Sequence, residues 1–371
     1  MQKQLKTRQI CLFFIAFLPI TKLFAMPSIM ASIAGRNLWL SGLINVLLDV
    51  ITLLFLIFVA RKNNKTFFEL LTSTFGQKAT KIISMLYVVY FLFKSAFPIM
   101  EQKDYINATL YFAKPSAFYF LPFFAVAFFL CSKKLRILGR LSDVLFTFTL
   151  SGYALLMALA IRNTDFLSIL PIGKCPMSEI LKGSYSSLAW FGDSAYFLFF
   201  LGNYEHRKGD EIRLLGSYIA SGLMILLFLI VFYGVFTFIA FRQKFGLTDI
   251  AKYTSVISNT GRFDYIASIS LLFSGIISVI LPLFFASKII EEVFSFKSPL
   301  IASLISVAIS FTLSIVFAQY YYSIEKFMSG SAGIILLLFG NVFPIFFIFL
   351  IGKSKKDEKK EIINAKKRVQ A

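Results

Sequence analysis

The sequence predicts an all-α polytopic membrane protein of ten transmembrane helices, arranged as two halves of five with opposite orientation. Three observations predict it. First, the chain of 371 residues is 58% hydrophobic with a mean hydropathy of +0.77, whereas a soluble domain is about 45–50% apolar. Second, apolar runs of about 20 residues, the length that crosses a bilayer, recur from end to end. Third, two of these runs, one opening each half, carry a charge and a helix-breaking signal at the same point. Lys22 lies inside the run 10–34 and Asp193 inside the run 184–204. A charge at bilayer depth costs from about 2.5 kcal/mol upward, so it is generally paired and functional. Interrupted helices at corresponding positions of two halves point to a transporter-type binding site.

The first span, 10–34, reads Phe17-Leu18-Pro19-Ile20-Thr21-Lys22 and then Met26-Pro27. Proline removes a backbone donor and crowds the carbonyl four residues back, so the helix breaks here. The basic start resembles a signal peptide, but the apolar stretch is too long and Ala34-Gly35-Arg36 leads straight into the next span. Span two, 38–60, carries Asn45 and Asp49. Between it and span three, residues 66–76 form an amphipathic helix with Phe67, Leu70, Leu71 and Phe75 on one stripe. Span three, 82–106, holds Lys94 with Ser95 and Pro98 close by. Span four, 116–132, is short and Phe-rich, and span five, 141–162, has Asp143 near its start.

The second half repeats the plan. Span six, 184–204, breaks at Trp190-Phe191-Gly192-Asp193-Ser194, and span seven covers 213–241. Residues 248–257 have helical spacing and stand where 66–76 stood. Spans eight, nine and ten cover 262–290, 297–318 and 331–352. Five spans per half is an odd number, so the second half enters the membrane from the opposite side, which makes inverted repeats. The expectation is therefore one transmembrane domain over 1–352, with repeats of about 10–162 and 184–352. A lysine-rich cytoplasmic tail follows over 353–371.

Charge orients this plan. Of 38 Lys and Arg residues, 25 fall in the segments that lie inside if the N-terminus is cytoplasmic, and 11 fall outside. That bias places both termini inside, as an even span count requires. The formal net charge of +19 does not point to nucleic acid, because the basic residues sit between apolar runs rather than on a soluble face. Cys11, Cys131 and Cys175 have no motif spacing, so neither a disulfide framework nor a metal site is read from them. His206 is the only histidine and lies in a charged loop. With no His pair, nucleophile elbow or metal spacing, an intramembrane enzyme has no support, and no cofactor is expected.

Several segments, in order, resemble a known family. They are Pro27 with Ala34-Gly35-Arg36-Asn37-Leu38-Trp39-Leu40, then Lys65-Thr66-Phe67-Phe68-Glu69-Leu70 with Gly76, then Tyr87-Val88-Val89-Tyr90-Phe91. Leu170-Pro171-Ile172 and Phe191-Gly192-Asp193 complete the series. The chain is similar to the endospore germination permeases, the B-type membrane subunits of nutrient germinant receptors. The resemblance implies membership of the amino acid–polyamine–organocation superfamily and a leucine-transporter-like fold with helices one and six broken. It also implies sensing of a small nutrient, often an amino acid, alongside an A-type membrane subunit and a C-type lipoprotein in the spore inner membrane. The chain departs from the pattern at Thr21-Lys22, where small residues such as Gly are more common. It has Asp193 where Glu is usual, and Gly202-Asn203-Tyr204 where many members have a proline.

A broken helix frees backbone N–H and C=O groups at the bilayer centre, where they meet carboxylates and cations respectively. The expected ligand site is therefore Pro19, Ile20, Thr21 and Lys22 from span one with Trp190, Phe191, Gly192 and Asp193 from span six. Asp193 either holds a ligand ammonium or pairs with Lys22. Lys22 stands where a cation bridges the first helix to the core in sodium-driven relatives, and an ammonium suits that space. Asp49 and Lys94 are further intramembrane charges. Asp49 can pair with Lys94 or Lys22, and the sequence leaves both pairings open. Two functions fit: a nutrient-sensing receptor subunit, or a proton-coupled secondary transporter of amino acids or related amines.

Overall fold

The computed structural model describes residues 5–62, 65–110, 115–171, 176–204, 206–258 and 263–347. The basic tail expected at 353–371, and Cys175, lie outside the described residues. Within them the regular structure is helical. Five helices are long and apolar enough to cross a membrane, and a sixth span arises if one bent pair counts as one. The protein is therefore an integral membrane protein by the length and composition of its helices.

The first expected span is broken where its prolines place the break. α1 (Thr7–Phe17) ends before Pro19, a short turn covers Ile20–Lys22, and α2 (Met26–Ala34) restarts with Pro27 in its first turn. There proline is tolerated, because the missing N–H would have no helical partner. α3 (Leu38–Lys62) follows, and α4 runs over Phe67–Leu110. The start of α4 is a capping box. The Thr66 N–H donates to Glu69 Oε2 at 2.8 Å, and the Glu69 N–H donates to Thr66 Oγ1 at 3.2 Å. Gly76, at φ 77°, kinks α4 and separates the amphipathic piece from the long one; only glycine takes that backbone without strain. Phe67, Leu70 and Leu71 of the first piece are buried.

α5 (Ser116–Cys131) and α6 (Arg136–Ile161) follow. The sixth expected span is broken more severely. α7 (Met177–Ser186) gives way to turns at Leu188–Trp190 and Asp193–Ala195, and only five residues of α-helix, α8 (Tyr196–Phe200), follow. Then come α9 (Asp210–Phe236), a six-residue turn over Thr237–Arg242, and α10 (Gly246–Ser258) in the second amphipathic position. α11 (Phe263–Phe294), α12 (Pro299–Gln319) and α13 (Tyr321–Met328) lead to α14 (Ser331–Leu337). α13 meets the run Ser331–Phe347 at 53°, and a π-helical turn covers Leu338–Val342.

Both breaks are enclosed. α1 packs on α6 and α9, while α11 packs on α4, α6 and α12. α3 lies against α7 and α9, and α14 lies on the turn Leu188–Trp190. Tyr321 is buried, with the Lys244 ammonium 3.8 Å from its ring centroid, while Tyr320 and Tyr322 on either side are exposed. Asp143, expected near the start of its span, lies about two turns inside α6, which begins earlier at Arg136, and pairs with the exposed Arg8 at 2.9 Å.

Candidate functional site

At the second break the chain turns through Gly192, which adopts φ 85°, ψ 14°. That left-handed backbone is open to glycine and costly for other residues. The turn carries Asp193 into the centre, where its side chain is almost fully buried. Lys22 reaches it from the first break and Lys94 from α4. The Lys22 ammonium donates to Asp193 Oδ2 and, at 2.8 Å, to the carbonyl of Leu18, freed by the first break. Lys94 Nζ lies 3.0 Å from Asp193 Oδ1 and donates to the carbonyls of Phe191 at 2.6 Å and Ala189 at 3.3 Å. One carboxylate thus ties two cations, and the cations tie carbonyls left by both breaks.

Asp49 forms no ion pair with either lysine among the described residues. Its two oxygens accept the Gly192 N–H at 3.0 and 3.1 Å, the Tyr218 hydroxyl at 2.9 Å and the Asn341 amide at 2.7 Å. Both pairings that the sequence left open for Asp49 are therefore replaced by neutral donors. Asp49 holds the turn at Gly192 through its backbone N–H. Lys94 also does not reach for the membrane surface; its nitrogen turns inward to the break.

The expected site residues divide accordingly. Thr21, Trp190 and Asp193 line one small enclosed space with Lys94, Phe97, Tyr196 and Ser278, of about 20 Å³. Lys22 and Phe191 line a second of about 10 Å³ beside Asp49 and Tyr218, and the Lys22 ammonium stands 5.4 Å from the Phe191 ring centroid. Pro19 and Ile20 are buried in the first break and line neither space. Gly192 acts through its backbone. A space of 20 Å³ admits one water. Anything of amino-acid size enters only after the breaks move apart.

Sequence reasoning passed over several residues that build this region. The Trp190 indole N–H donates to Glu101 Oε1 at 3.1 Å, and Glu101 is buried. The Tyr90 hydroxyl donates to the Gly192 carbonyl at 2.9 Å. Asn341 bridges Asp49 and Thr52. Glu101 carried a readable signal, since it stands seven residues after Lys94 and so on the same helical face. Asn341 carried none.

A larger cleft, about 680 Å³, opens on the face that bears the Lys- and Arg-rich connections. It is lined by Thr66–Phe68, Lys134, Asn203, Lys288, Glu291 and Glu292, with Phe199, Phe284 and Phe285 at its apolar side. One aromatic layer separates it from the enclosed space. Phe285 lines the cleft and stacks on Tyr196 at 6.1 Å, Tyr196 stacks on Phe91 at 5.6 Å, and Tyr196 lines the space beside Asp193.

The whole architecture resembles a solved transporter. A crystal structure of the Eremococcus coleocola manganese transporter, in complex with an aromatic bis-isothiourea substituted compound, superposes with a TM-score of 0.54. The match has 11% sequence identity and covers 91% of this chain and 78% of that one. At that identity the likeness shows the fold alone. No curated protein matches the chain in sequence. The family model of the spore germination proteins matches residues 4–322, most of the chain and both breaks, and the protein belongs to that family.

Proposed function

We propose that this protein is the membrane subunit of a germinant receptor. It binds a small nutrient, an amino acid or related amine, between its paired breaks and passes that event to an A-type membrane subunit and a C-type lipoprotein. The observation that carries the reading is the Lys22–Asp193–Lys94 cluster, placed where the two broken helices face each other beside a small enclosed space. Such a cluster is poised to rearrange. A ligand ammonium competes with the lysines for Asp193, and a ligand carboxylate competes with Asp193 for the lysines. Either exchange loosens the tie between the breaks and changes their separation. That movement is the signal.

The reading includes the ten-span plan in two inverted halves of five, over one domain of residues 1–352, with both termini cytoplasmic and the protein in the spore inner membrane. The matching positions of the two breaks and of the two amphipathic helices, residues 67–75 and Gly246–Ser258, support it. A second reading, a proton-coupled secondary transporter, is favoured by one observation: the cleft stands a single aromatic layer from the enclosed space.

Purified protein in detergent, titrated with an amino acid panel and followed by tryptophan fluorescence, tests the binding claim. The expected result is saturable binding of one class of amino acid, lost in Asp193→Asn. Binding that is intact in Asp193→Asn overturns the assignment of the site. Uptake of the bound amino acid into proteoliposomes separates the second reading from the first.

A further inference from the structure

We infer that the Lys94 ammonium is a tethered cation filling a cation-coordination site at the second break, so that this protein holds its broken helix with its own charge where a dissolved ion would otherwise be needed. The inference does not rest on which nutrient, if any, the protein binds.

A lysine nitrogen has three N–H donors and no acceptor capacity. Lys94 Nζ faces three oxygens: Phe191 O at 2.6 Å, Asp193 Oδ1 at 3.0 Å and Ala189 O at 3.3 Å. Two donors are taken by the carbonyls, and the carboxylate oxygen stands within ion-pair distance on the remaining side. Two of the partners are main-chain carbonyls released as the helix ends between Leu188 and Gly192. Such carbonyls carry the partial negative charge of a helix C-terminus. In discontinuous membrane helices, these carbonyls and half-helix ends are the groups that coordinate a small cation. The third partner is a full carboxylate, and the nitrogen is buried. An ordinary salt bridge needs only the carboxylate; the two carbonyls make this a coordination site. Lys22 repeats the arrangement at the first break with Leu18 O and the other oxygen of Asp193.

The chemistry of a vacancy distinguishes this from a plain ion pair. Removing the Lys94 side chain beyond Cβ leaves one carboxylate oxygen and two carbonyl oxygens around the ammonium end of a hole of propylammonium size. A small monovalent cation or methylammonium is expected to fill that end. The test uses the full-length protein, without nutrient, and reads thermal unfolding in chloride salts of sodium, potassium, methylammonium and N-methyl-D-glucamine at one ionic strength. Wild type is expected to melt at the same temperature in all four. Lys94→Ala is expected to melt lower in N-methyl-D-glucamine and to recover more than half of the loss, saturably, in methylammonium, with sodium or potassium less effective. Lys94→Ala that melts alike in all four salts, or wild type that shifts with the small cations in parallel, overturns the inference.

Lys94→Gln, which keeps donors and bulk without charge, is the second variant. It is expected to melt lower than wild type and to show no recovery with any cation, because the amide fills the hole. A Lys94→Gln protein as stable as wild type shows that the charge is dispensable and overturns the inference even where Lys94→Ala does not fold.

Discussion

Asp193 answers two ammonium groups at once, and its loss is therefore felt twice. Asp193→Asn leaves Lys22 and Lys94 buried without the carboxylate that pairs with both. Removing one member of a buried ion pair costs about 3–5 kcal/mol, and a loss of that order is expected in chemical denaturation of the purified protein. Lys22→Met is expected to cost less, because Asp193 keeps Lys94; an equal or larger loss contradicts the shared-carboxylate geometry. The presence of Lys22 and Asp193 at the centre was legible in the sequence, since charges in apolar runs must meet something. Their partners were not legible. Which lysine meets which carboxylate depends on how four helices pack, and one glycine reversal at position 192 decides that Asp49 receives a backbone N–H instead of an ammonium.

Glu292, outside the expected spans, offers a pH test at the same scale. It is exposed on the cleft side, and its carboxyl is pushed up to about 7 by partial desolvation in the cleft first and by Glu69 and Glu291 next. The cations nearby are Lys288, which pairs with Glu291 at 2.7 Å, and Lys134. The ordinary glutamate value is near 4.5. Between these two values the unfolded chain has released the proton that the folded protein still holds, so stability falls as pH rises through that window and is level above it. Glu292→Gln is expected to flatten this stretch of the melting-temperature profile and to raise stability above pH 7. An unchanged profile contradicts the assignment.

The breaks themselves are the elements on which the site depends, and they were the most legible part of the fold. Pro19 and Pro27 mark the first break and Gly192 the second, because each residue type restricts or frees the backbone in a way no neighbour can override. The capping box at Thr66 and Glu69 was equally local and equally legible. Less so was the π-helical turn at Leu338–Val342, which no periodicity announces. It places Gly340 against Gly192 so closely that a Cβ on Gly340 would stand 2.6 Å from the Gly192 Cα and 2.9 Å from its carbonyl oxygen. Both walls of that contact are backbone and cannot swing aside. Gly340→Ala is expected to cost about 1–3 kcal/mol, as overpacking does, and to speed hydrogen exchange in α8 and the turn Asp193–Ala195. Wild-type stability and exchange in this variant contradict a rigid contact between the last helix and the second break.

At the scale of the molecule, a cleft on the Lys- and Arg-rich face and a small closed space at the centre are separated by the stacked rings of Phe285 and Tyr196, with Phe91 stacked on Tyr196. Phe285→Ala is expected to thin that wall. A cysteine at Ser278, in a chain lacking Cys11, Cys131 and Cys175, should then react several-fold faster with a water-soluble thiol reagent supplied at the cleft. An unchanged rate contradicts the route. Nothing in the phenylalanine-rich sequence distinguished these three rings from the many that only pack, because aromatic residues in membrane helices pack by default and a wall exists only between two cavities. In the proposed receptor, nutrient signalling runs through Asp193. The most direct measurement is nutrient-triggered release of dipicolinic acid from spores lacking the chromosomal copy of this gene and carrying wild type, Asp193→Glu or Asp193→Asn at equal membrane levels. Wild type and Asp193→Glu are predicted to restore the response, since either carboxylate can serve both lysines, and Asp193→Asn to leave it absent. A full response from Asp193→Asn at wild-type nutrient concentration would contradict the account.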